Sequence, residues 1–210
     1  MRITLLGTGS PIPDPGRAGP STLVQAGGTA LLVDAGRGVL MRLAGAGLFP
    51  VQLDAVLLTH LHSDHLSDLN DVITTRWVMA TGPAPLTVYG PPGTRQVVAA
   101  TLEMLSLDVG YRLAHHDDLT GPPEVEAVEV APGDRLRLGD VDVVVGATDH
   151  RPVEPTVGYR LEHDGRVAVL GGDGVPCDGL DALCRGAGAY VQAVVRDDLI
   201  LPLGMARFSD

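Results

Sequence analysis

The sequence predicts an α/β fold in which sheets are covered by helices, and three observations carry that prediction. Strand-type apolar runs and helix-type patterns are interleaved through both halves of the chain. Gly, Pro and Asp punctuate the junctions between them. Aspartate and histidine recur where strands end, the pattern of a site built along one edge of a sheet.

The elements follow in order. Arg2 to Leu6 reads as a strand, and Gly7 to Pro20 as a Gly/Pro-rich loop too long to be mere connection. Thr22 to Gln25 and Ala30 to Val33 read as strands joined by a Gly27-Gly28 turn, the second ending at Asp34-Ala35-Gly36. Gly38 to Ala46 is helical and closed by Gly47. Ala55 to Thr59 is a buried strand, and Leu66 to Ala80 a helix. Leu86 to Tyr89 is a strand broken by Gly90-Pro91-Pro92-Gly93, and Thr94 to Leu107 a helix with Thr94 as its N-cap. In the second half, Val125 to Val130, Asp140 to Ala147, Thr156 to Glu162 and Arg166 to Leu170 read as strands, with turns at Pro132-Gly133-Asp134 and Asp164-Gly165. A short helix over Leu180 to Cys184 and a strand over Tyr190 to Val195 complete the pattern. No interdomain linker interrupts it, so residues 1–210 are expected to form a single domain.

Composition narrows the function classes. The 210 residues suffice for a sizeable core, and the 45% hydrophobic fraction is that of a globular chain. Aromatics make up only 3%, so Val, Leu and Ala must fill the interior. All 15 basic residues are arginine, and the net charge of −11 disfavours gripping long nucleic acid through many phosphates. No apolar run approaches the roughly 20 residues of a membrane span, and the N-terminal apolar stretch is too short for a signal peptide. The expected location is cytoplasmic, where Cys177 and Cys184 would stay reduced and packed.

His60-Leu61-His62-Ser63-Asp64-His65 places three histidines and one aspartate in six residues directly after a strand. Imidazole nitrogen and carboxylate oxygen are ligands that zinc, manganese and iron all accept. In an extended segment His60 and His62 point to the same side and can share an ion. Asp64 and His65 come where a helical pattern begins, and a turning backbone can aim both at a neighbouring position. His150, after the strand ending at Ala147, and Asp173, in Gly171-Gly172-Asp173-Gly174, are the side chains expected to join this cluster. Asp34 is expected to support the ligands from behind. His115-His116-Asp117-Asp118 reads as a solvated loop, while Arg151 and Arg160 lie near the expected site in sequence.

These residues resemble the metallo-β-lactamase superfamily, marked by H-x-H-x-D-H after a strand, and within it the ribonuclease Z and arylsulfatase-like branch. Gly7-Thr8-Gly9-Ser10 with Pro13, Leu32-Val33-Asp34-Ala35-Gly36, Tyr89-Gly90-Pro91, His150 with Thr156-Val157-Gly158-Tyr159-Arg160, and Gly172-Asp173 are similar to that branch over nearly the whole chain. The resemblance implies a four-layer αβ/βα sandwich of two mixed β-sheets flanked by helices. It implies two zinc ions, with Mn2+ or Fe2+ as alternatives. His60, His62 and His150 would hold one, Asp64 and His65 the other, and Asp173 would bridge them. A hydroxide between the metals would attack phosphorus or another electrophilic centre, with Asp64 as the candidate catalytic residue to orient or deprotonate the water. His62 stands where members with di-iron oxygen chemistry carry a carboxylate.

The chain also departs from that branch. The family's second metal takes a further histidine near the C-terminus, whereas no histidine follows His163 here. The expectation is therefore a chain incomplete at its C-terminus. A His-Glu pair is missing near Gln192-Ala193, and only His163-Asp164-Gly165 joins two strands between which the family carries a tRNA-binding arm. The expected activity is hydrolysis of a phosphodiester, a small one ahead of tRNA. Arylsulfatase or lactonase chemistry on the same metals, and a non-catalytic metal-stabilised binding role, are the alternatives. The resemblance implies a homodimer.

Overall fold

The computed structural model describes residues 1–194 and Pro202. The expected end of a strand at Val195 and, Pro202 apart, the tail Asp197 to Asp210 lie outside the described residues.

Six strands form the first sheet: β1 (Arg2–Gly7), β2 (Ser21–Ala26), β3 (Thr29–Val33), β4 (Ala55–Leu57), β5 (Leu86–Gly90) and β6 (Val125–Glu129), side by side in that order. The first two pairings are antiparallel and the last three parallel, so the sheet is mixed. Five strands form the second: β7 (Arg135–Leu138), β8 (Val141–Ala147), β9 (Val157–His163), β10 (Arg166–Leu170) and β11 (Ala189–Val191), in the order β11-β10-β9-β8-β7. Among the described residues only β10 and β11 run parallel there.

Apolar packing divides the molecule into four layers. Leu32, Val56, Leu58 and Val88 meet Val39, Leu43, Val72, Ile73 and Val98, which seals α1 (Val39–Gly45), α3 (Leu69–Met79) and α4 (Thr94–His115) onto the first sheet. Val24, Leu31, Val33 and Leu57 interdigitate with Val143, Val145, Tyr159 and Leu161 between the two sheets. Val169 packs beneath Leu180 and Leu183 of α5 (Asp178–Cys184) on the far side. The alternation of buried and exposed residues along β8 is what lets one strand serve two layers.

Several local expectations need correction. The helix expected over Leu66 to Ala80 starts only at Leu69, as α3, and a separate turn, α2 (Ser63–Leu66), precedes it; between them Asp68 accepts the Gly38 N–H with its side chain while its own N–H bonds the Ala35 carbonyl. Asp64 and His65 consequently sit within α2. The N-cap of α4 is Gly93, with φ of 104°, and the Thr94 hydroxyl instead donates to the Pro91 carbonyl at 2.7 Å. α4 runs on to His115, so His115 closes a helix rather than lying in a loop. The strand β7 was not anticipated, although Arg135-Leu136-Arg137-Leu138 alternates as an edge strand should. The strand from Ala55 ends at Leu57, and the last strand, β11, spans Ala189–Val191.

Arg76 is a structural anchor that periodicity does not reveal. Its guanidinium donates to the carbonyls of Ala84, Pro50, Leu53 and Pro85 at 2.7–3.0 Å, tying α3 to two loops. Because the head group is part-exposed, water can replace some of these bonds. Arg76→Met is expected to cost about 2 kcal/mol in urea denaturation; an unchanged midpoint would show that these four contacts hold nothing.

Candidate metal centre

The C-terminal ends of β3, β4, β8 and β10 bring their following residues together at one edge of the sandwich. β3 delivers Asp34, β4 the His60–His65 segment, β8 His150 and β10 Asp173. Two contacts tie the sheets together there. The buried Tyr159 hydroxyl donates to the Leu58 carbonyl at 2.7 Å, and the Val157 N–H to the Thr59 carbonyl at 2.9 Å.

His62 is extended, with φ of −65° and ψ of 145°, and caps α2. His60 Nε2 lies 3.1 Å from His62 Nδ1, and His150 Nε2 lies 3.4 Å from the same nitrogen. One neutral Nδ1 has a single lone pair, so hydrogen bonding cannot satisfy both contacts well. An ion at about 2.05 Å from each nitrogen would space them about 2.9–3.4 Å apart in octahedral or tetrahedral geometry. With a carboxylate oxygen of Asp173, the ligand atoms of His60, His62 and His150 all fall within 4.8 Å of one another. This donor set fits a first-row divalent metal.

Asp64 and His65 stand beside that group. His65 Nε2 is 3.2 Å from Asp173 Oδ1 and 3.9 Å from Asp64 Oδ2. His65 Nε2 and Asp173 Oδ1 are both buried and, despite their separation, neither is aligned to hydrogen-bond the other. Burial works against the charged form of His65, but Asp34 and Asp173 outweigh it and raise its pKa to about 10. His60 is pushed the other way, to about 3, by burial and by neighbouring His65. Positive charge is therefore favoured between His65 and Asp173, where a proton or a metal ion can supply it.

Asp34 fixes which nitrogen of each ring faces inward. It adopts φ of 59°, and its carboxylate accepts the Thr59 N–H at 2.8 Å, the Thr59 hydroxyl at 2.9 Å and His65 Nδ1 at 2.8 Å. An ionised carboxylate only accepts, so the Thr59 hydroxyl hydrogen is committed to Asp34. The Thr59 oxygen, 3.1 Å from His60 Nδ1, must then accept from that ring. His60 thus presents the lone pair of Nε2 to the site, and His65 likewise directs Nε2 inward. Thr59 went unnoticed in the sequence, although it immediately precedes the motif. Thr59→Val is expected to weaken divalent-metal affinity by about 10–100-fold, the usual effect of losing a partner that orients a ligand; calorimetric titration with an unchanged affinity would refute the relay.

Close backbone approach makes room for these side chains. A Cβ on Gly36 would fall 2.4 Å from the Asp64 carbonyl, and one on Gly172, whose φ is 70°, would fall 2.6 Å from the Thr59 hydroxyl. The two arginines near the motifs in sequence have other partners. Arg151 pairs with Asp149 at 2.6 Å, and Arg160 donates to the Leu183 and Arg185 carbonyls at the end of α5. Cys177 is the N-cap of α5 and Cys184 its last residue, both as free thiols.

Comparison with known proteins agrees with this architecture. The Beta-lactamase superfamily domain matches residues 29–200. A ribonuclease Z from Mycolicibacterium gilvum (strain PYR-GCK) is 58% identical over the whole chain, which covers 74% of that protein. One from Mycobacterium bovis (strain BCG / Pasteur 1173P2) is 56% identical, again over the whole chain, with 76% of its own length covered. Among solved structures, the short form of human tRNase Z superposes with a TM-score of 0.73 at 24% identity, covering 95% of this chain and 81% of that one. The expected sandwich of two mixed sheets flanked by helices is the fold these relatives share. The chain belongs to the ribonuclease Z family within the beta-lactamase superfamily, and is a metal-dependent hydrolase.

Proposed function

We propose that the metal is zinc, bound as a pair, and that the reaction is hydrolysis of a phosphodiester in RNA. The observation that carries this reading is the convergence of His60, His62, His150 and Asp173 within 4.8 Å, beside the orphaned His65 Nε2. His60, His62 and His150 would hold one ion, Asp64 and His65 the other, with Asp173 shared. Bound zinc would supply an acidified water as nucleophile and positive charge to stabilise the developing oxyanion. Asp64, its Oδ2 3.9 Å from His65 Nε2, is assigned to orient the attacking water and take up its proton. Asp34, through Thr59 and His65, holds the imidazoles in the tautomers that bind.

The ribonuclease names of the relatives move RNA ahead of the small phosphodiester favoured from sequence alone. The described structure also bears on how RNA would be held. β9 and β10 are joined by a tight turn, His163 pairing directly with Arg166, so no arm projects there. A net charge of −11 disfavours many phosphate contacts, and binding should show a shallow salt dependence. No helix among the described residues is long and apolar enough to cross a membrane.

The test is hydrolysis of a tRNA, an unstructured RNA and bis(p-nitrophenyl) phosphate, with aryl sulfate and lactone esters alongside. Zinc-dependent cleavage of RNA, abolished by chelation and restored by zinc, is the expected result. Faster turnover of sulfate or lactone esters, or RNA cleavage indifferent to chelator, would overturn the proposal.

A further inference from the structure

Asp173 sits on a turn with unusual backbone freedom. Its two neighbours are glycines with positive φ, 70° at Gly172 and 148° at Gly174. Such a turn has many accessible conformations. Yet its carboxylate has to serve His65 on one side, 3.2 Å away, and the three-imidazole group on the other. Something must pin it.

Three pins are main-chain bonds. The Gly171 N–H donates to the Val191 carbonyl at 3.0 Å, Ala193 N–H to Gly172 at 3.4 Å, and Val175 N–H to Asp149 at 2.8 Å. The fourth is a side chain that the catalytic reading does not use. Gln192 Nε2 donates to the Gly174 carbonyl at 3.1 Å. The Tyr190 hydroxyl donates to Gln192 Oε1 at 2.6 Å, and this orients the amide, oxygen towards the tyrosine and nitrogen towards the turn. Space for the amide is kept by Gly171, where a Cβ would fall 2.1 Å from Gln192 Oε1.

We propose that Tyr190 and Gln192 form a positioning device for Asp173. By holding the Gly174 carbonyl, the pair sets where the carboxylate stands between the two groups of ligands. The inference rests on the metal-binding reading above. Neither residue touches the ions or the substrate in this scheme; both act through Asp173, and Tyr190 acts through Gln192.

The test uses the full chain and Co2+ alone as the probe, with affinity and stoichiometry read from visible absorption. Gln192→Met keeps side-chain length while removing the amide. It is expected to weaken Co2+ binding by about 10–100-fold with little change in the Tm measured in chelator. Tyr190→Phe is expected to weaken binding by about two- to tenfold, because Tyr190 is half-exposed and water replaces part of its bond. In the double variant Tyr190→Phe should add nothing to Gln192→Met, the signature of one residue acting through the other. Wild-type affinity in Gln192→Met, full additivity in the double variant, or an affinity loss matched by an equal loss of stability in chelator would each overturn the proposal. A wild-type chain that takes up no Co2+ would instead overturn the metal-binding reading itself.

Discussion

His62→Ala and Asp173→Ala are each expected to lower kcat/KM on a phosphodiester by on the order of a thousandfold, corresponding to about 4 kcal/mol of lost transition-state stabilisation. The reason is positional. His62 Nδ1 is the nitrogen that faces both His60 and His150, at 3.1 and 3.4 Å, so its removal opens the centre of the three-imidazole group. Asp173 is, among the described residues, the carboxylate placed against both groups, 3.2 Å from His65 and within the 4.8 Å set of the other histidines. Both side chains are partly exposed, and their truncation should leave the core intact. Metal content should fall with activity. Turnover within tenfold of wild type in both variants would remove these residues from the mechanism.

Asp34→Ala should produce the second-largest effect, and of a different kind. Asp34 is buried, 5% exposed, and its carboxylate collects bonds from the Thr59 N–H, the Thr59 hydroxyl and His65 Nδ1. Its loss strands three buried donors, each costing about 1–3 kcal/mol, so a total of at least about 3 kcal/mol is expected in urea denaturation. It also frees His60 and His65 to take the wrong tautomer, which should lower metal affinity by about 10–100-fold. Asp34→Asn separates the two consequences. It preserves volume and some bonds to Thr59, so stability should largely return while metal affinity remains low. If Asp34→Asn binds metal as tightly as wild type, Asp34 supports the fold without orienting the ligands.

Much of this molecule was legible because the signals are local. The two-residue alternation of Val, Leu and Ala marked most strands, and Gly27-Gly28 and Asp164-Gly165 marked their turns, since side-chain direction and positive φ are properties of short segments. The candidate ligands His60, His62, Asp64 and His65 share six residues, so the motif was visible without a fold. His150 and Asp173, far off in sequence, were expected to join the motif because each follows a strand. Their meeting with the motif, His150 lying 88 residues beyond His62, needed β8 and β10 to stack against the first sheet.

What failed to show in the sequence has a common cause. The break between α2 and α3 depends on Asp68 reaching the Gly38 N–H, 30 residues earlier. Arg76 depends on carbonyls from two loops, and Arg160, expected near the site, is drawn to the end of α5. Gln192 depends on a turn 18 residues before it. The order of residues determined the α/β class, most of the elements and which side chains are candidate metal ligands, because backbone preference and donor chemistry belong to residues and their immediate neighbours. Tertiary contacts decided which nitrogen His60 and His65 present, where Asp173 stands and which polar groups hold it, because a hydrogen bond is set by positions in space that only the assembled fold defines.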